Sequence, residues 1–370
     1  MPATYPLPMG DLKSLGFASK PLDHLDALIR SHIDEGRYPG AQIALARHGK
    51  LALFRTYGDA KTEGGKLPAT NETLFLLFSQ TKVLTSSAVW TLVEEGKLSF
   101  MDKVATFLPE FAARGKGDIT MEQVMTHTGG FPSGDVTKET WTDHKTMRSQ
   151  VCDFSLEWTP GSRLQSHGRA AHLVQAMVIE AVTGQDFRDV IRARVLEPLG
   201  LANDIFVGVP EAQQSRCADT YANEARDNSA AFRAAGLPSG GGYATARGMA
   251  AFYQMLGHGG RLGDVRMFSP RLISYVSKGH TGEMGDHQMD GIPMHRGLGP
   301  HVRGESDRIR GLGTIGAPVT FGHGGAGTSY SWTDPTSGVS FTYLTNRMQD
   351  DPWHSSRLDR VSNLVHAAID

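Results

Sequence analysis

Leu74-Phe75-Leu76-Leu77-Phe78-Ser79-Gln80-Thr81-Lys82-Val83-Leu84-Thr85-Ser86-Ser87-Ala88-Val89 is the stretch on which the fold turns. Its apolar lead-in, Leu74–Phe78, delivers a serine from a buried segment. Thr81–Glu95 is helix-compatible, and Gly96 stands where a helix ends. If the helix starts near Ser79, then Ser79 and Lys82 sit at i and i+3 on one face, about 5–6 Å apart at the β-carbons. A lysine there reaches the serine oxygen. In a partly desolvated cleft its ammonium loses its preference for charge, and the neutral amine accepts the serine proton. A serine at a helix N-terminus also sets its own N–H beside a developing oxyanion. Alone, S-x-x-K is a pattern that chance supplies often, and its ordinary explanation is a solvated pair at a helix start. The rest of the chain decides.

Toward the N-terminus, Pro21–Gly36 has helical spacing with Leu22, Leu25, Leu28, Ile29 and Ile33 on one side. Gln42–His48 and Leu51–Tyr57 read as two strands joined by a turn at Gly49-Lys50. Toward the C-terminus, helices are predicted at Ile119–Met125, Leu173–Val182, Arg188–Leu196, Thr245–Leu256 and Ser355–Ala368. Strands return at Val319–Gly322, Ser329–Asp334 and Val339–Thr345. Strands at both ends and helices between them imply a discontinuous α/β domain, residues 1–80 and 236–370, with a mostly helical domain, residues 81–235, inserted. Gly279–Gly316, poor in apolar periodicity, reads as an active-site border loop or an insertion.

The composition narrows the function. Of 370 residues, 39% are hydrophobic and 21% charged, which suits a globular protein with a large core. A formal net charge of −2 provides no basic field for nucleic acid. No apolar run is long enough to span a bilayer, and Met1–Phe17 lacks the pattern of a secretory signal. The two cysteines, Cys152 and Cys217, form no disulfide framework and no zinc site, so a reducing cytoplasm is the expected location. Asp286, His287, Asp290, His295 and His301 lack metal-ligand spacing, so neither metal nor cofactor is expected.

Several separated motifs then occur in a meaningful order. They include Pro39-Gly40, Leu98-Ser99-Phe100-Met101-Asp102, Thr126-His127-Thr128-Gly129-Gly130 and Pro160-Gly161. Gly240-Gly241-Gly242-Tyr243-Ala244-Thr245, Phe321-Gly322-His323-Gly324-Gly325-Ala326-Gly327 and Leu344-Thr345-Asn346-Arg347 follow. With Ser79-x-x-Lys82 they make the chain, from about Ile33 to Met348, resemble the class C β-lactamase-like serine hydrolases, among them family VIII carboxylesterases and penicillin-binding-protein-like enzymes. The resemblance implies an α/β (α+β) β-lactamase/transpeptidase-like fold: an antiparallel sheet flanked by helices, plus the inserted helical domain. It implies Ser79 as nucleophile and Lys82 as its base. His323-Gly324-Gly325 takes the place of the family's K-T-G triplet on the strand walling the cleft, and the N–H groups of Ser79 and Ala326 form the oxyanion hole. Tyr243 and Trp332 are candidates to line the substrate pocket. His127 corresponds to the family's structural helix-end histidine rather than to a base.

The family's Y-x-N motif is the departure. Pro160-Gly161-Ser162-Arg163-Leu164-Gln165-Ser166-His167-Gly168-Arg169 contains no tyrosine. Counting forward from Pro160-Gly161 puts the tyrosine position at Ser166 and the asparagine at Gly168. Counting back from Thr183-Gly184 puts them at His167 and Arg169. On chemistry His167 is the better base, because imidazole titrates near neutrality. Arg169 would disfavour protonation of Lys82 and attract an anionic substrate group. A hydrogen bond to a loop carbonyl is the competing role for His167, and a solvated surface position for Arg169. The reading is a carboxylesterase-like serine hydrolase acting through an acyl-enzyme on a small-molecule ester. Acyl transfer to a small acceptor, or a non-hydrolytic enzyme or binder in the same cleft, is the alternative.

Overall fold

The computed structural model describes residues 6–224, 226–306 and 311–370. Parts of three segments read above lie outside the described residues: 1–5 of Met1–Phe17, 225 of the insertion, and 307–310 of Gly279–Gly316.

Strand β1, Gly40–Arg47, is buried almost throughout, and its alternation shows why. Ala41, Ile43 and Leu45 enter one core with Leu25, Ile29, Phe341, Tyr343 and Val361. Ala44 and Ala46 point the other way, into a second core with Ala250 and Tyr253. A period of two thus serves two layers. β1 turns back into β2, Lys50–Lys61, through His48-Gly49, both with positive φ (50° and 73°), as a type I′ hairpin requires. The turn therefore lies one residue before Gly49-Lys50, because Lys50 already pairs with Arg47.

Three strands from the far end of the chain complete the wall: β3, Phe321–Gly324; β4, Tyr330–Asp334; and β5, Val339–Thr345. The antiparallel sheet runs Leu67–Pro68, β2, β1, β5, β4, β3, His301–Val302. β1 pairs with β5 from Ala41↔Thr345 to Arg47↔Val339, so the two ends of the chain form one sheet. Helices α1, Ser19–Asp34, and α6, Trp353–His366, pack on one face. Helix α5, Ala246–Gly257, packs on the other.

Helix α2, Thr81–Glu94, is buried on nearly every side. Its hydroxyls are not left bare: Thr85 donates to the Pro238 carbonyl (2.7 Å) and Ser86 to Gln175 Oε1 (3.0 Å). Ser87 and Thr91 donate to carbonyls of their own helix. Helix α3, Met121–Met125, is opened by a Thr120–Gln123 capping box. Helix α4, Ala170–Thr183, stops at Gly184, whose left-handed conformation (φ 69°) ends the helix. Among the described residues no helix is long and apolar enough to cross a membrane.

Candidate active site

The apolar lead-in is a short strand, Phe75–Leu76, followed by a sharp elbow. Phe78 carries a φ of 47°, a left-handed conformation that a phenylalanine adopts only when its surroundings impose it. The elbow drives the chain into a single 3₁₀ turn, Phe78–Gln80, which continues as α2. Ser79 is thereby held half-buried on the wall of a cleft of about 930 Å³. Lys82 Nζ lies 2.7 Å from Ser79 Oγ and donates to the Ser239 carbonyl at 2.9 Å.

Lys82 is buried, and among the described residues no carboxylate pairs with it. Its pKa falls to about 7, chiefly because burial penalises the ammonium, then because of the guanidinium of Arg296 and that of Arg169. Half of the molecules therefore carry a neutral amine at neutral pH, poised to take the serine proton.

The glycine-rich segment before β-strand Gly242–Ala244 locks this pair. Leu77 N–H donates to Gly242 O, and Gly242 N–H donates to Thr81 Oγ1. The Ser239 carbonyl is aimed at Lys82 by this packing, which sequence reading missed; the Gly240-Gly241-Gly242 run was its one signal. A β-carbon on Gly241 would lie 2.2 Å from Leu237 N, so no side chain fits there.

The turn after β3 closes against the same elbow. A β-carbon on Gly325 would stand 2.6 Å from the Leu77 carbonyl, so only glycine lets the two backbones meet. This contact carries Ala326, the next residue, to the cleft wall near Ser79. His323, Gly324 and Gly325 line the cleft as well. His323 Nδ1–H donates to the Gly324 carbonyl (2.8 Å), and its ring stacks on His301 at 4.1 Å.

Three of the sequence-derived positions are not brought to the site. His167 is fully buried, and both ring nitrogens are committed. Nε2 accepts the N–H groups of Gly130 (2.9 Å) and Phe131 (3.1 Å), while Nδ1–H donates to the Gln165 carbonyl (2.8 Å). Burial pushes its pKa down to about 4. His167 is a strut between loops, with no nitrogen left for Ser79 or Lys82. Ser166 and Gly168, the positions counted forward from Pro160-Gly161, line the cleft, as does Arg169 from the backward count, whereas His167 does not. Trp332 is displaced by parity: it pairs with Gly322, while its neighbour Ser331 pairs with His323. Ser331 hydroxyl thus reaches Gln80 beside the nucleophile, and Trp332 faces α6, donating to Ser362 Oγ and stacking on His366. Tyr243 is buried among Leu74, Leu76, Phe206 and Cys217, behind the cleft wall.

Arg169 does line the cleft, half-exposed and paired with Asp135 at 2.7 Å. The second cation, Arg296, was not singled out by sequence. It lies in the Gly279–Gly316 segment, which also contributes Gln288, Met289, Met294 and His301 to the cleft. Arg296 pairs with Asp286 (2.8 Å) and meets His301 Nε2 at 3.3 Å. Asp286 and His301, weighed above as metal ligands, are thus its partners.

The profile of the Beta-lactamase family matches residues 25–364. The chain belongs to that family. Members of this family are serine hydrolases, esterases and peptidases among them. An Escherichia coli (strain K12) relative, whose name proposes a D-alanyl-D-alanine carboxypeptidase, is 24% identical over 93% of this chain and 87% of its own. A penicillin-binding protein homologue from Caulobacter crescentus superimposes with a TM-score of 0.83 at 24% identity, covering 95% of this chain and 99% of its own. A family VIII carboxylesterase gives 0.82 at 24%, with the same coverage. EstCE1, described as a hydrolase with promiscuous acyltransferase activity, gives 0.77 at 22%, covering 93% and 99%. The β-lactamase/transpeptidase-like fold follows from these likenesses.

Proposed function

We propose that this β-lactamase-family protein is a carboxylesterase-like serine hydrolase that acts on small-molecule esters through an acyl-enzyme. The observation that carries the reading is the 2.7 Å contact between Ser79 Oγ and a Lys82 amine whose pKa is brought down to about 7. In acylation, Ser79 Oγ attacks the ester carbonyl while its proton passes to Lys82. The oxyanion rests on the N–H groups of Ser79 and Ala326. Collapse expels the alcohol, to which the Lys82 ammonium returns the proton. Water, activated by the regenerated amine, then releases the acid. Esters are favoured over amides because an alkoxide leaves more readily than an amide nitrogen, and the tyrosine acid of the family is replaced by Ser166.

A cleft of about 930 Å³ holds more than a short acyl chain, which supports transfer to a small alcohol or amine as a second outcome. The free, buried Cys152 and Cys217 accord with a reducing, cytoplasmic setting. Intact-protein mass spectrometry tests the reading. Wild type should gain one fluorophosphonate adduct and transient acyl adducts from an ester panel, and Ser79→Ala none. Absence of any adduct on wild type, or its persistence in Ser79→Ala, would refute the covalent mechanism.

A further inference from the structure

His127 lines the cleft with Ser79 and Lys82, yet the dyad mechanism does not use it. Its backbone is left-handed, with φ of 62°, held by His127 N–H to Val124 O (3.2 Å) and Gln165 N–H to His127 O (3.4 Å). A histidine in this region is strained, and such outliers persist where surrounding contacts over-determine them. The ring is fixed too. Nδ1 accepts the N–H of His167 at 3.0 Å, so the proton of the neutral imidazole must sit on Nε2. His127 is almost wholly buried yet contributes to the cleft lining, and with Nδ1 turned to the His167 amide its Nε2 edge is the one left to face the cleft. The backbone amide of His167 thus sets the tautomer of His127.

Building on the esterase reading, we infer that His127 Nε2–H is the hydrogen-bond donor to the leaving-group oxygen, filling the place vacated by the tyrosine hydroxyl. The proton that leaves with the alcohol still comes from Lys82. As the C–O bond breaks, the alkoxide takes that proton from the ammonium, and His127 donates a hydrogen bond without giving up its own. The imidazole stays neutral throughout. Burial, then Arg296, His172, His167 and Lys82, all disfavour a second proton on it, and its pKa lies well below the ordinary value. A neutral donor is what the site can hold beside a lysine that must become positive.

The test compares kcat/KM for acetate esters of graded leaving groups, from 4-nitrophenyl through phenyl to ethyl, in wild type and His127→Asn. Asparagine tolerates a left-handed backbone but is too short to place a donor at the Nε2 position. Ethyl acetate turnover should fall about 100-fold, as for loss of one preorganised donor, while 4-nitrophenyl acetate falls only a few-fold. An equal loss on all esters, or none, overturns the role. A second measurement does not depend on the variant folding. Long-range ¹H–¹⁵N spectra of wild type should show His127 protonated at Nε2 and neutral from about pH 5.5 to 8. A proton on Nδ1, or an imidazolium titrating in that range, overturns the inference. If wild type cleaves no ester, the esterase reading falls and takes this role with it. If wild type cleaves esters without these effects, the role of His127 alone is lost.

Discussion

The activity of this protein should switch on with rising pH through a midpoint near 7, because only the neutral form of Lys82 can accept the Ser79 proton. The folded-state pKa is depressed, to about 7, so the active form grows as pH increases. At pH 6 about one-eleventh of Lys82 is neutral, and at pH 8 about ten-elevenths, so kcat/KM should climb roughly tenfold over those two units. An unperturbed lysine would be neutral in only about one molecule in 3,000 at pH 7, which would make the enzyme about 1,500-fold slower from population alone. The assay is initial-rate hydrolysis of 4-nitrophenyl acetate from about pH 5.5 to 9.5, corrected for the uncatalysed reaction. Arg169→Met removes one of the cations that hold the amine neutral. Its limb should move to higher pH, with the plateau preserved. A profile flat across this range, or a limb above pH 9 in wild type, would refute the desolvated-lysine argument.

The same proton must appear in stability. Between about pH 7 and 10.5 the unfolded chain keeps Lys82 protonated and the folded chain does not. The unfolded state therefore binds the extra proton, and stability rises with pH across that window, by about 1.4 kcal/mol per unit from this one group. Chemical denaturation of wild type and Lys82→Met at pH 7.5 and 9 should show the difference between them growing by roughly 2 kcal/mol in favour of wild type. A pH-independent difference would place the lysine pKa outside this window.

Three further outcomes follow from the geometry. Lys82→Arg should be inactive although its charge is kept, since a guanidinium does not deprotonate in a protein; near-normal hydrolysis by this variant would move the base elsewhere. His167→Ala should cost roughly 2–4 kcal/mol of stability by stranding the Gly130 and Phe131 amides and the Gln165 carbonyl, and it should slow good and poor leaving groups alike, as read from thermal unfolding and an ester series. Short-chain aryl esters should be cleaved and cephalosporins poorly or not at all; nitrocefin hydrolysis without esterase activity would reverse that order.

Most of the fold was legible because its signals are local. The apolar run of β1, the Thr120 cap and the glycine after α4 each state an element in a few residues. Ser79 and Lys82 were legible for the same reason, being one helical turn apart. Two kinds of information were not local. Parity is one: Trp332 lies a single residue from Ser331, and only the pairing with β3 tells which of them turns to Gln80 and which to α6. Register across a loop is the other. Ser166 and His167 are separated by one peptide, and chemical preference favoured the histidine. The backbone decided otherwise, because the amides of Gly130 and Phe131 needed an acceptor and found it in that imidazole. Arg296 went unseen because its importance lies in the field it exerts on Lys82 from a segment more than 200 residues away.

Loss of the tyrosine and depression of the lysine pKa are best understood together. A lysine that stays charged needs a neighbour able to relieve it of a proton before it can act as base. A lysine near pKa 7 needs no such neighbour, since at neutral pH it both accepts from Ser79 and returns the proton to a leaving alkoxide. Arg296 is buried and balanced by Asp286, so removing Asp286 would leave an uncompensated cation in the cleft wall. The burial of Lys82, reinforced by the two cations, and the absent hydroxyl are thus linked through one amine. The site is built to work with a base whose pKa folding has already brought down to about 7.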